Sequence, residues 1–461
     1  MEEMVTATAG PAIERLRRAA RAERAAQAEQ AAAILALAEE AQWSPDDEFD
    51  VVGPRAVRIG ADGTPLVDEF LPLEVAAALG VSVASATWLV RDVVNLAARL
   101  PRVWQAVLGG VLPLWRARDL AQRTEAAELD LAECRQVDAA VGPALGAVAW
   151  PRLGRLVRAS MLAVAPAKLQ AQAERARGAR YLRTGMLPDD PASSWLAGRV
   201  DTADARGFDA LLDRIADGLT ARGEAGERDL LRARALGLLG EDLGEVVALI
   251  DHKPGADERA AEAAGASRQL RRDRRPDRVY LHLSAGVAGL GGVIDLERVG
   301  PALVEQVRAV LGDRPIRLAP VVYAGPSSRA VDNYVVPRAI REDVVVRDRV
   351  EVFPFSSRSP RSCDLDHTVP YAAGESGQTR PGNLGPLGRR AHRAKTHGGW
   401  RLEQPTPGVF WWTSPRGQVF RISPKGTWDL SPDHPEGGIW RTAWRFFDDH
   451  TNPDGTWRDP P

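Results

Sequence analysis

Lysine, cysteine, net charge and long apolar runs are all scarce in this chain, and each scarcity excludes something. Of 60 basic residues only Lys168, Lys253, Lys395 and Lys425 are lysines, a bias that looks like GC-rich coding before it looks like selection for phosphate binding. With 62 acidic residues against those 60, the formal charge is −2, so any affinity for nucleic acid has to come from local clustering. Cys134 and Cys363 lie far apart in sequence and cannot form a disulfide framework. The opening MEEMVTATAG lacks the basic and apolar regions of a signal peptide, and the expected compartment is reducing and cytoplasmic. No uncharged stretch approaches the ~20 residues of a membrane helix. Even residues 279–293 are broken by Gly286, Gly289, Gly291 and Gly292, so no membrane role is expected.

What is present reads as a multidomain, mainly α protein. A chain of 461 residues is too long for one ordinary core. Apolar residues make up 44% and charged residues 26%, close to the averages of folded domains. Residues 9–41 are rich in Ala with Arg and Glu interleaved, a long helix by summed propensity, and with a following loop they form an N-terminal segment, 1–70. Residues 71–252 carry helical periodicity punctuated by Gly and Pro, and the spacing predicts an α-helical domain. Within it a charged helix is expected over 167–185 and a short strand over 195–200. Residues 74–91 resemble a helix-turn-helix, with Gly80 at the turn and Ser82 as a cap, although Val83, Ala84, Ser85, Thr87 and Trp88 offer few groups that read base edges. Loss of apolar periodicity marks 253–275 as a linker. A small α/β segment follows over 276–350, with strands expected at 278–283 and 316–324 and a helix at 301–311. The glycines of 286–292 lack the Lys-Ser/Thr pair and capped helix of a phosphate cradle.

Chemistry concentrates further on. Residues 356–402 hold eight basic residues (Arg358, Arg361, Arg380, Arg389, Arg390, Arg393, Lys395, Arg401) against Asp364, Asp366 and Glu375, a local net of +5 in a neutral chain. The same window contains His367, His392 and His397, three of the seven histidines. The order is Asp366-His367, a loop rich in Gly and Pro, Asn383, and His392 after eight more residues. A short strand, a return and a helix carrying His392 would bring the two ends together.

Hydrolysis of a phosphodiester needs a base for water, a cation to neutralise the phosphate and leaving oxygen, and positive groups that seat the backbone. His367 suits the base, since imidazole titrates near neutrality. Asp366 and His392 can share one divalent cation with positions left for water and phosphate oxygens. Asn383 would tie the hairpin arms or orient His367, and Arg389, Arg393 and Lys395 would meet flanking phosphates.

On these residues the sequence resembles the HNH (ββα-metal) endonuclease family, and within it the actinobacterial proteins that carry a large helical N-terminal domain of unknown function. The likeness runs through DLDHTVPY (364–371) and 377–417, and more faintly over 71–249 and 323–355. The resemblance implies a C-terminal HNH module over 351–422 that ends in a short β-meander. It implies a hydrolase that cuts DNA, with RNA as the alternative, using one divalent cation, Mg²⁺ with Mn²⁺ or another transition metal as alternatives. By the same resemblance His367 is the general base, Asp366 and His392 the ligands and Asn383 the orienting residue. Many relatives hold a structural zinc through cysteines, but those positions look like Ser356, Gly388 and Ala391 here, so no structural zinc is expected. Ala391 also stands where relatives often have another His. That departure keeps a second reading open, a DNA-binding or mobile-element-associated protein that retains the fold without cutting. A third treats the helical region as a scaffold for self-association or a protein partner. The aromatics of 400–422 read as core before they read as base-stacking groups, and 423–461 as an irregular Trp-rich tail.

Overall fold

The computed structural model of the chain describes residues 11–43, 53–187, 190, 193–241, 246, 281–282, 293–296, 300–303 and 329–434. The linker expected at 253–275, the strand expected at 316–324 and the tail beyond 434 lie outside the described residues. Two compact units emerge, one of residues 1–172 with 318–461, the other of 173–317. The division differs from the boundaries expected from composition, because the C-terminal module shares a unit with the N-terminal helices.

In the first unit α1 (Pro11–Glu40) buries only a narrow stripe, Ala28, Ala31, Ile34 and Ala38, at helical spacing. A two-residue ladder of β1 (Ala56–Val57) and β2 (Val67–Asp68) leads into α2 (Leu71–Leu79). Gly80 ends α2 in the left-handed conformation, and Ser82 caps α3 (Val83–Arg99) by accepting from the Ser85 N–H at 3.2 Å. The two helices meet at 111°, the angle of a helix-turn-helix corner. They are followed by α4 (Pro101–Leu108), α5 (Leu114–Ala126), α6 (Leu131–Val141), α7 (Trp150–Val164) and α8 (Pro166–Gly178). Leu71, Val90, Leu96, Val103, Leu120 and Val137 belong to their common core. Among the described residues no single helix is long and apolar enough to cross a membrane.

The second unit holds a hairpin of β3 (Tyr181–Met186) and β4 (Ser194–Arg199) and a helix pair, α9 (Thr202–Ala221) and α10 (Arg228–Glu241). The expected helix over 167–185 therefore stops at Gly178, and its last residues pair with 194–199 instead. Ladder bonds of β4 override the helical propensity of the segment. A three-stranded antiparallel sheet comprises β5 (Leu281–His282), β6 (Val293–Leu296) and β7 (Gly300–Leu303), so residues 300–303 are strand where a helix was expected from 301. Pro301 has no N–H to donate, and its neighbours find their partners in β6.

The C-terminal part of the first unit comprises α11 (Arg338–Asp348), the hairpin of β8 (Asp364–His367) and β9 (Leu384–Leu387), and α12 (Arg389–His397). A four-stranded meander completes it, β10 (Arg401–Thr406), β11 (Val409–Thr413), β12 (Val419–Ser423) and β13 (Gly426–Asp429), one strand more than the sequence suggested. Trp400, Phe410, Trp412 and Phe420 are buried in it, with Phe353 packed edge-on to Trp412. These aromatics close a core of their own.

One helix serves both cores. Leu71, Val75 and Ala76 of α2 face the helical core, whereas Phe70, Leu73 and Ala77 pack with Phe353, Trp400 and Trp412. Gly398 lies against the Phe70 ring, where an added Cβ would stand 2.7 Å from Cδ2 and 3.0 Å from the Ala394 backbone. Gly398→Ala is expected to cost about 1–3 kcal/mol by overpacking, read as a lower urea midpoint at unchanged slope.

Candidate active site

The site is built on the alternation of β8. Leu365 packs with Ile340 and Val344 of α11, while Asp364 and Asp366 project from the other face toward α12. Arg347 of α11 anchors the hairpin, donating to the Leu384 carbonyl at 2.7 Å and to the Pro381 carbonyl.

Three stripes of α12 divide its work, each a pair three residues apart and therefore on one face. Ala391 and Ala394 are buried in the C-terminal core. Arg390 and Arg393 turn to the helical region. The first donates to Thr87 Oγ1 at 3.0 Å, and the second pairs with Glu69 at 2.7 Å and donates to the Gly53 carbonyl at 3.0 Å. His392 and Lys395 face Asp366. His392 Nε2 lies 3.0 Å from Asp366 Oδ1 and Lys395 Nζ 2.6 Å from Asp366 Oδ2, and Lys395 also donates to the His367 carbonyl. Burial alone would raise the Asp366 carboxyl, but the hydrogen bond from His392 and the Lys395 ammonium outweigh it and hold the group below its ordinary value.

His367 sits at the end of the strand, buried between aromatic rings. Tyr334 stacks on it at 5.6 Å and 23°, and Tyr371 leans against it at 5.7 Å. Its Nε2 lies 2.8 Å from Thr379 Oγ1, and the single proton of that hydroxyl goes to the Asn333 carbonyl at 2.5 Å. His367 must therefore donate from Nε2, which leaves the lone pair on Nδ1. Burial, aided by Lys395 and opposed by Asp366, lowers its affinity for a second proton. Thr379 and Tyr334 escaped the sequence reading. They reach the site because residues 331 and 379 pair as an isolated bridge, a long-range contact with no local signature.

Asn383 ties the hairpin arms. Its Oδ1 accepts from the Val369 N–H at 2.8 Å, and its Nδ2 donates to the carbonyls of Val369 at 3.2 Å and Gln378 at 3.1 Å. Asn383→Ala leaves the buried Gln378 carbonyl unsatisfied and removes two partly buried bonds to Val369, and is expected to cost about 1–3 kcal/mol, measurable by chemical denaturation.

The three residues expected at phosphates therefore stand differently. Arg389 is open to solvent, its side chain 77% exposed and 3.4 Å from Asp364. Arg393 is committed to Glu69 and Lys395 to Asp366. The helix-turn-helix corner has part of its face taken in the same way, since Val83 packs against the C-terminal core and Thr87 receives Arg390, while Ala84, Ser85 and Trp88 stay exposed.

At the positions that suggested cysteines in relatives, Glu351 is the organising group. Its carboxylate accepts from the Gly388 N–H at 2.7 Å, at the start of α12, and from the Ser356 hydroxyl at 2.7 Å. A Cβ on Gly388 would meet Glu351 Oε1 at 2.8 Å and Arg358 Nη1 at 2.9 Å. Burial, with Glu351 nearby, pushes the Cys363 thiol up to about 11, so it stays protonated at neutral pH. Among the described residues no three His, Cys, Asp or Glu side chains converge as a metal site, so Asp366 and His392 are a pair of ligands at most.

Residues 13–238 match the family model described as "Domain of unknown function (DUF222)", which covers the helical region and stops short of the hairpin and α12. The chain is also similar to the uncharacterized protein Rv3776 of Mycobacterium tuberculosis, 27% identical over 401 residues, 80% of this chain and 71% of that protein. A second uncharacterized protein of the same species, Rv2100, is 28% identical over 401 residues, 76% of this chain and 68% of that protein. No solved structure matches the chain.

Proposed function

We propose that the chain is an HNH-type endonuclease, in which β8, β9 and α12 form a ββα module that hydrolyses phosphodiester bonds in DNA with one divalent cation. The observation that carries this reading is the 3.0 Å between Asp366 Oδ1 and His392 Nε2. Neighbouring ligands of an octahedral cation with bonds of about 2.1 Å stand about 3.0 Å apart, so the pair is spaced to take such an ion once the Nε2 proton of His392, which holds the carboxylate in its absence, has left. The residues fit the group on this test. Asp366 and His392 would hold the cation, which when bound supplies positive charge to the phosphate and leaving oxygen.

The chain's own residues account for the rest. His367 takes a proton from the attacking water at Nδ1, its tautomer fixed by Thr379 and the Asn333 carbonyl. Asn383 keeps the strand ends in register, so that Asp366 and His367 stay fixed relative to α12. Arg389, exposed and held by a solvent-facing pair with Asp364, would meet a flanking phosphate. In this reading the helical region is structural support for α12, through Glu69, Thr87 and Phe70.

A binding protein that no longer cuts is the rival, favoured by the engagement of Asp366 with Lys395 and by Ala391 standing where relatives often have another His. Plasmid nicking by the purified chain with Mg²⁺ or Mn²⁺, against an EDTA control, separates the two. Cation-dependent relaxation of supercoiled plasmid is expected. Salt-sensitive retention of DNA without any cut would instead support the rival.

A further inference from the structure

We propose that Lys395 and the divalent cation are alternative occupants of Asp366, and that an incoming phosphodiester frees the site by drawing the Lys395 ammonium onto itself. The proposal rests on the nuclease reading above and adds to it an order of events: phosphate and cation load together, and neither loads well alone.

Three observations carry it. First, the Lys395 ammonium is 2.6 Å from Asp366 Oδ2, one turn along α12 from His392, and it also donates to the His367 carbonyl. Both oxygens of the carboxylate are thus engaged, one by each of the side chains on that stripe of the helix. Second, the site is largely shielded, with side-chain exposures of 12% for Asp366 and 14% for Lys395, so water screens the charges poorly. A cation on Oδ1 would stand within ~5 Å of the ammonium on Oδ2, and two positive ions at that separation oppose one another. Third, the group is a lysine in a chain where 56 of 60 basic residues (60 less four lysines) are arginines. An arginine here would grip the carboxylate through a two-pronged planar fork. Lysine binds as a point charge on a flexible stem and can transfer to another oxygen anion. A phosphodiester supplies that anion, and its departure or arrival moves the ammonium without unfolding anything.

Coupling of this kind is reciprocal, so DNA tightens cation binding by the factor with which cation tightens DNA binding. The test titrates Mn²⁺ by calorimetry into the full chain carrying His367→Ala, which spares the duplex oligonucleotide added in half of the runs. Lys395→Met and Lys395→Gln are compared in that background, two replacements of similar length that remove the charge. Without DNA both are expected to bind Mn²⁺ about tenfold more tightly than the Lys395 protein. Adding DNA should tighten Mn²⁺ binding by a larger factor in the Lys395 protein than in the two variants, where only the phosphate's own contact with the cation couples the two. Asp366→Asn is the control that removes the site. Equal Mn²⁺ affinity with and without Lys395, still dependent on Asp366, would overturn the competition and leave the nuclease reading standing. No Asp366-dependent binding of Mn²⁺ in any of the proteins, with or without DNA, would overturn both.

Discussion

Replacing His367 with alanine is expected to lower plasmid nicking by about 10²–10⁴-fold, the range a positioned general base contributes. The size follows from how completely the ring is committed. It is buried, its Nε2 proton is assigned to Thr379, and two tyrosines hold its plane, so its one remaining function is the Nδ1 lone pair. No described neighbour is set up to replace it, because Lys395 is engaged by Asp366 and His392 is turned to the same carboxylate. Since Tyr334 and Tyr371 also lose a packing partner, the variant needs a control that keeps the ring. Thr379→Val provides one: it removes the acceptor that fixes the tautomer but leaves the imidazole among its tyrosines. An intermediate loss of rate in Thr379→Val, with the circular dichroism of both variants unchanged, separates base chemistry from collapse of the pocket. Full activity in His367→Ala would remove His367 from the mechanism.

How much of this was legible beforehand depends on whether the cause is local. Helices α2 and α3, the turn at Gly80 and the cap at Ser82 are written within a few residues, and they were readable. So were the strand that carries Asp366 and His367 and the helix that carries His392, because the spacing of polar groups around one loop is itself local, whereas residues 384–387, which read as the start of that helix, pair with β8 as a strand. Of the hairpin of β3 and β4 the second strand was readable, over 195–200, but the first was not, since residues 181–186 continue the charged helical segment in sequence and become strand only through their partners. The same holds for the environment of the charged groups. Arg393 and Lys395 look identical to solvated basic residues in a sequence, and only Glu69, more than 300 residues away, and Asp366 distinguish them. A basic island of +5 therefore overstates the charge available to a phosphate, because part of it is spent inside the protein.

The second large effect concerns α2. Phe70→Ala is expected to destabilise the first unit by about 3–5 kcal/mol, the cost of deleting a buried aromatic ring. What makes the site more than an ordinary core position is the neighbourhood: Phe70 is 2% exposed, lies against Gly398 at the end of α12, and shares a cluster with Trp400, Phe353 and Trp412. Leu71, the next residue, belongs to the helical core. A single turn of α2 thus joins two hydrophobic clusters, and the ion pairs of Glu69 with Arg393 and of Arg416 with Glu74 and Glu40 lie around the same seam. At roughly 2–4 °C per kcal/mol for a domain of a few hundred residues, the melting temperature should fall by about 10 °C. Both helical ellipticity and near-ultraviolet tryptophan signal should move together, because losing the ring loosens the helices and the Trp-rich core at once. Phe208→Ala, at a ring 40% exposed on α9, should cost far less. If Phe70→Ala shifts the ellipticity and leaves the tryptophan transition in place, the helical region and the C-terminal module melt independently. If both shift together, the helical region is a structural partner of α12, and mutations at Glu69 or Thr87 should then alter cleavage without contacting substrate.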